Sequence, residues 1–110
     1  MAKTPIEVTG ATVPFTTYED NGLTYYEFNT SGEQPPAPMV NAMSGLQLLT
    51  DDKKRLVMIN MQKPNGLLPK IEDDFDYDFK ELDDGNVQLV FRLKGVAASN
   101  TDFTSTECNG

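Results

Sequence analysis

Few side chains in this sequence can do chemistry, and their types restrict what that chemistry could be. Among 110 residues there is no histidine and a single cysteine, Cys108. Without imidazole there is no Ser-His or Cys-His nucleophile pair, no imidazole base and no imidazole metal ligand. Catalysis would rest on carboxylates, lysine or tyrosine alone, so the composition points to a binding or accessory protein, and no residue is assigned a catalytic role. Cys108 stands in Ser105-Thr-Glu-Cys-Asn-Gly, where no base or cation lowers the thiol pKa and Glu107 raises it. It reads as an inert thiol in a polar tail. The sharper alternative is a reactive thiol on a swinging arm.

Carboxylates crowd one stretch. Glu72, Asp73, Asp74, Asp76, Asp78, Glu81, Asp83 and Asp84 face only Lys80, eight acids to one base and a local charge of −7. From Asp74 the run spells Asp-x-Asp-x-Asp, but a calcium loop then needs Gly sixth and Glu twelfth. Phe79 and Gly85 occupy those places. The stretch is therefore read as solvated or as a docking face for a basic partner, not as a metal site. Met39, Met43, Met58 and Met61 fall at helical and strand spacing and read as core filler rather than as soft-metal ligands. No cofactor is implied.

The whole chain carries a net charge of −8, from 17 acidic and 9 basic residues. Phosphate backbones and anionic lipid surfaces repel such a chain, so neither nucleic acid nor a membrane is an expected partner. Lys53-Lys54-Arg55 follows Asp51-Asp52 directly and reads as a solvated turn before a strand. No run of about 18 apolar residues occurs. The first residues show no signal-peptide pattern, and one cysteine suits a reducing compartment, so a cytoplasmic location is expected.

The elements that must position these groups are legible in outline. Residues 1–11 lack periodicity and read as a flexible arm. Val13 to Tyr18 and Leu23 to Phe28 are rich in aromatic and β-branched residues and flank Asp20-Asn21-Gly22, which predicts a tight hairpin. Pro14 cannot donate to a ladder, which would put the first of these strands at an edge. After a proline-rich corner, Met39, Ala42, Met43, Leu46 and Leu49 recur at helical spacing, with Pro38 suited to the first helical position. Gly45 inside this helix predicts close approach to the sheet or to a neighbour. Arg55 to Asn60 is a continuous apolar run, the mark of a central strand. Leu67 to Phe75 reads as a second, shorter helix.

Tyr77 to Leu82 and Val87 to Leu93 flank Asp83-Asp84-Gly85-Asn86 and predict a closing hairpin. Its outward residues, Gln88, Val90 and Arg92, are a candidate partner surface on the uncovered face of the sheet. The expected domain is 12–94, with a disordered tail over 95–110. The expected class is α+β, a two-layer sandwich with helices on one side and a mixed sheet on the other.

The corner Phe28-Asn29-Thr30-Ser31-Gly32-Glu33-Gln34-Pro35-Pro36-Ala37-Pro38 carries a resemblance. It resembles the TusA/SirA family of sulfur carriers, whose first strand ends in Asp-x-x-Gly and whose first helix opens with Cys-Pro-x-Pro. Gly32, Pro36 and Pro38 match, Asn29 stands for Asp, and Pro35 stands where the sulfur-carrying cysteine belongs. Pro38-Met-Val-Asn-Ala-Met43, Leu56-Val-Met-Ile-Asn60 and Pro64-Asn-Gly-Leu-Leu-Pro-Lys70 look closest to a branch with Pro-Pro-x-Pro in place of the cysteine motif. The resemblance covers roughly residues 23–94 and implies a βαβαββ fold, here with an extra N-terminal strand forming a hairpin with the first core strand.

A thiol at a helix mouth is stabilised as thiolate, but proline offers no nucleophile. The resemblance therefore implies a protein that meets partners of sulfur or redox metabolism without carrying a persulfide. The alternative is a small anionic ligand at the first helix N-terminus, which Pro36 and Pro38 disfavour by removing N–H donors. The binding residues expected on either reading are Gly32, Gln34, Pro35, Pro36, Pro38, Asn41 and Asn60. The two asparagines are included because they lie in the first turn of the helix and at the end of the central strand; local backbone hydrogen bonding is the other reading of both.

Overall fold

A computed structural model describes residues 3–95. The strands are β1 (Thr4–Ile6), β2 (Phe15–Asp20), β3 (Leu23–Asn29), β4 (Lys54–Asn60), β5 (Phe75–Glu81) and β6 (Val87–Leu93). The helices are α1 (Ala37–Leu46), between β3 and β4, and α2 (Leu68–Ile71), between β4 and β5. The six strands make one mixed sheet in the order β1-β2-β3-β4-β6-β5, and β3–β4 is its parallel pair. The domain is thus α+β. The disordered tail expected over 95–110, with Cys108, lies outside the described residues save for Gly95.

Both hairpins form where turn chemistry places them. Asn21 and Gly22 adopt φ of 54° and 82°, the pair of positive angles a two-residue hairpin loop requires. Gly85 has φ of 92°, and the Leu82 amide donates to the Asn86 carbonyl to close the second loop.

Alternation along the paired strands sorts side chains onto two faces. Phe28, Met58 and Leu89 share one face by register, as do Leu56 and Phe91, and this face meets Ala42 and Leu46 of α1 and Leu68 and Ile71 of α2. Both helices therefore pack on the same side of the sheet. Phe15 stacks on its register partner Phe28 at 4.8 Å between ring centroids. Each fully buried side chain of this kind stabilises the fold by about 1.5–3 kcal/mol.

Several expectations change. The described part of the expected arm, residues 3–11, is tied down: β1 pairs antiparallel with β2, and Ile6, Val8 and Ala11 pack on the core. That makes β2 an internal strand; Pro14 precedes its first residue, so its missing N–H breaks no ladder. Helix α1 begins at Ala37, earlier than expected, with Pro38 second rather than first, and it ends at Leu46. Residues 47–49 continue as a turn that still buries Leu49, whereas Met43, expected in the apolar stripe, is 43% exposed.

The second helix is one short turn, and Phe75 belongs to β5 rather than to the helix. The alternation of Phe75, Tyr77 and Phe79 outcompetes helical spacing because the Lys94 amide donates to the Asp74 carbonyl and starts the ladder there.

Gly45 is where α1 touches the sheet. A Cβ built there would lie 2.8 and 3.0 Å from the two methyls of Leu56 and 3.0 Å from the Phe15 ring. All three atoms belong to fully buried side chains that cannot retreat into solvent. Gly45→Ala is expected to destabilise by about 1–3 kcal/mol through overpacking, exceeding the helix-propensity gain of about 1 kcal/mol. Chemical denaturation decides it; a midpoint that rises would show that the helix can lift away from β4.

Candidate functional site

The corner that turns β3 into α1 faces the loop leaving β4, and a cavity of about 320 Å³ lies between them. One wall is Pro35, Pro36, Pro38 and Met39; the other runs from Gln62 to Leu67, with Asn60 joining them. The position follows from topology, because it lies at the C-terminal ends of the parallel strands β3 and β4, where open sheets leave a crevice. Four expected residues meet here: Pro35, Pro36, Pro38 and Asn60. Gly32 and Gln34 are exposed on the same corner but do not line the cavity.

Asn41 is corrected. It does not reach the rim; it is fully buried and used up internally. Its Oδ1 accepts from the Thr12 and Val13 amides at 2.7 and 3.2 Å, and its Nδ2 donates to Thr12 Oγ1 and to the Ala37 carbonyl, each at 2.8 Å. It clasps the N-terminal segment to α1. Asn60 lines the cavity yet is also committed: Oδ1 accepts from Thr30 Oγ1 at 3.0 Å and Nδ2 donates to the Gln62 carbonyl at 2.9 Å. Thr30 is buried and ties the corner to β4 a second time through its amide, which donates to the Ile59 carbonyl at 2.7 Å. Asn29 accepts from the Ser31 amide at 2.8 Å and so shapes the turn.

The helix mouth offers little to an anion. The Ala37 amide donates to the Gln34 carbonyl, the Val40 amide donates to the Pro36 carbonyl, and Pro38 has no N–H. The Met39 amide is left as the one donor at this mouth without a partner among the described residues. The loop wall supplies the rest: among the described residues Lys63 is the only ionisable side chain lining the cavity, and its Nζ lies 5.0 Å from the Phe79 ring centroid and 6.0 Å from that of Tyr77. Met39 reaches across toward Gly66, whose added Cβ would lie 3.6 Å from Met39 Cε. The arrangement can hold an apolar group against proline, methionine and leucine, with amides and one ammonium at the rim.

Reasoning from the corner alone missed Gln62, Lys63, Asn65 and Leu67. The turn Pro64-Asn65-Gly66 was a signal available in the sequence, since a proline-glycine turn after a central strand must pass over the next crossover.

The other face of the sheet carries the second expected surface. Gln88 and Val90 line a shallow hollow there with Tyr18, Asp20, Tyr25, Glu27, Val57 and Asp78. Arg92 pairs with Asp78 at 2.9 Å. Tyr18 and Tyr25 stack face to face at 5.1 Å, and Lys3 bridges to Glu27 at 3.1 Å while lying over the Tyr18 ring. Tyr26 takes the core side instead, so the adjacent tyrosines divide between faces. Burial, reinforced by the Glu27 carboxylate and by Tyr25, pushes the Tyr18 phenol up to about 12. Charges on this face largely pair within the domain.

Two outcomes are expected. Asn41→Ala takes the partner away from the part-buried Thr12 and Val13 amides and Ala37 carbonyl, and is expected to cost about 1–3 kcal/mol and to speed hydrogen exchange at the Thr12 and Val13 amides. A neutral effect would mean that water replaces the clasp. For Tyr18, the folded state holds its proton more tightly than the unfolded chain, whose tyrosines titrate near 10. The stabilisation is complete below about pH 10 and is lost as pH rises toward 12. Ultraviolet titration should show a late phenol component that Tyr18→Phe removes; a high-pH titration unchanged by that substitution would contradict the burial of this ring.

No family model, curated protein or solved structure matches the chain. The site therefore rests on its own geometry.

Proposed function

We propose that this chain is a non-catalytic binding module that receives an apolar side chain of a protein partner in the cavity between the proline corner and the loop 62–67. One observation carries the reading. The wall is built from Pro35, Pro36, Pro38, Pro64, Met39 and Leu67, while among the described residues Lys63 is the single ionisable side chain in it. Preset proline backbone lowers the entropy lost on docking, and methionine adapts to the shape of an incoming group. A partner side chain buried there would gain about 1.5–3 kcal/mol from apolar contact alone.

The likeness to the TusA/SirA family fits the order β3-α1-β4-α2-β5-β6, which runs βαβαββ, and places Pro35 at the position of the family's cysteine. On that likeness the partners belong to sulfur or redox metabolism, the setting is the cytoplasm, and the site keeps a docking role after losing the thiol. A second reading, a small anionic ligand at the same place, is favoured by Lys63 and the Met39 amide. Only one backbone donor serves it, so it ranks below the protein contact.

The test is a photo-crosslinking residue in place of Gln62, which is exposed at the rim. Adducts to a discrete protein are expected, and Met39→Glu, which puts a charge on the apolar wall, should reduce them about tenfold. If adduct formation is the same in Met39→Glu, the cavity is not the docking point. If no protein is captured while small anions raise the melting temperature by several degrees, the ligand reading takes its place.

A further inference from the structure

The sheet ends in two unlike edges. β1 is three residues long and contains Pro5, so it offers little backbone to a newcomer. β5 is seven residues long and proline-free, and among the described residues it is paired only with β6. The Lys94 amide donates to the Asp74 carbonyl and the Leu82 amide to that of Asn86, so even-numbered residues of β5 bond inward to β6. By alternation Tyr77, Phe79 and Glu81 direct their N–H and C=O groups to the open edge. Phe79 is 37% exposed beside them.

The acidic stretch is not uniform along this edge. In its middle, Asp76 pairs with Lys94 at 3.3 Å and Asp78 with Arg92 at 2.9 Å, and Lys80 adds a positive charge. The negative charge remains at the two ends, on Glu72, Asp73 and Asp74 before the strand and on Glu81, Asp83 and Asp84 at its close. The edge therefore presents about 20 Å of unpaired backbone with an aromatic middle and anionic ends.

Charge selects the occupant. A second copy added antiparallel about Asp78 would set Glu72 and Asp73 of one chain against Asp84 and Asp83 of the other, at both ends. Like charges directly opposed across strands destabilise the pairing. The chain's own residues 96–110 contain Asp102 and Glu107 and no lysine or arginine, so they offer no complement either.

We infer that β5 takes up an extended segment of another protein as a seventh strand, one with apolar or β-branched residues in its middle and lysine or arginine at both ends. Backbone hydrogen bonds to Tyr77, Phe79 and Glu81 supply the pairing, and the terminal charges fix which segment is accepted. This surface is distinct from the proline-walled cavity and stands without it.

The probe is a short peptide of alternating valine and threonine closed by a lysine pair at each end, with a glutamate-ended counterpart as control, titrated into the full chain. Nuclear magnetic resonance should show shifts and exchange protection at the Tyr77, Phe79 and Glu81 amides with the lysine-ended peptide. Affinity should fall at least about tenfold as salt rises from about 0.01 M to about 1 M, where the screening length contracts from about 30 Å to about 3 Å. Phe79→Pro removes one edge donor and should abolish binding. Should that variant not fold, Glu72→Lys with Asp73→Lys, both exposed and outside the strand, reverses the charge at one end and should weaken binding about tenfold. The inference is overturned by unmoved edge amides, which would mean that the charges merely guard the strand. Equal binding of both peptides, or edge amides already protected in a dimer of the free chain, would overturn it too.

Discussion

The parallel register of β3 and β4 is the constraint from which the other features descend. Antiparallel neighbours can be joined by a tight turn, but parallel ones need a crossover over one face of the sheet. Residues 30–53 make that crossover, so α1 must lie over β4, and Gly45 lets it come close enough to exclude water from Leu56. The same geometry sends the β3 exit and the β4 exit to the same end of the sheet. The cavity is the space left between the two departing chains.

Buried polar groups pin this geometry and in doing so withdraw themselves from binding. Thr30 and Asn60 lock the β3 exit to the β4 exit, while Asn41 locks α1 to the segment before β2. A buried amide that satisfies its hydrogen bonds internally would have to break them to greet a ligand, at a cost of about 1–3 kcal/mol. What faces the cavity without such a duty is the proline and methionine wall and Lys63, since the Asn65 and Leu67 amides also bond within their loop. Lys63 in turn lies against Phe79 and Tyr77, so this cation at the cavity rests on the aromatic side chains of β5.

The net charge of −8 is distributed with more structure than a count suggests. Asp76 receives the Gly95 amide at 3.1 Å and the Lys94 ammonium, which hold its carboxyl below the usual carboxylate range. That depressed pKa contributes stability present above the ordinary carboxylate range and lost as pH falls through the folded value. Asp51 behaves likewise through Lys54 and the Lys53 amide. Asp51, Asp76 and Asp78 thus serve the fold, and Asp84 shapes the closing hairpin by accepting from the Asn86 amide and side chain at 3.0 and 3.3 Å; Glu72, Asp73, Asp74 and Asp83, exposed in the loops at either end of β5, add to the outward negative field.

What could be read from residues alone follows the range of the interactions involved. Asn21-Gly22 and Gly85 fix hairpins through local backbone preference, and both turns stand where that preference puts them. Gly45 was legible because an interior helix glycine needs a packing reason. Asn41 was not legible as a clasp, since its partners Thr12 and Val13 lie 29 and 28 residues away, beyond any local pattern. The stretch from Leu67 to Phe75 satisfies both helical spacing and, from Phe75 on, strand alternation. Only the ladder with β6, a non-local partner, decides where one gives way to the other. Half of the cavity shares this fate: Pro35 to Pro38 announce a corner by themselves, but the loop that faces them becomes a wall only once the crossover has brought β4 alongside β3.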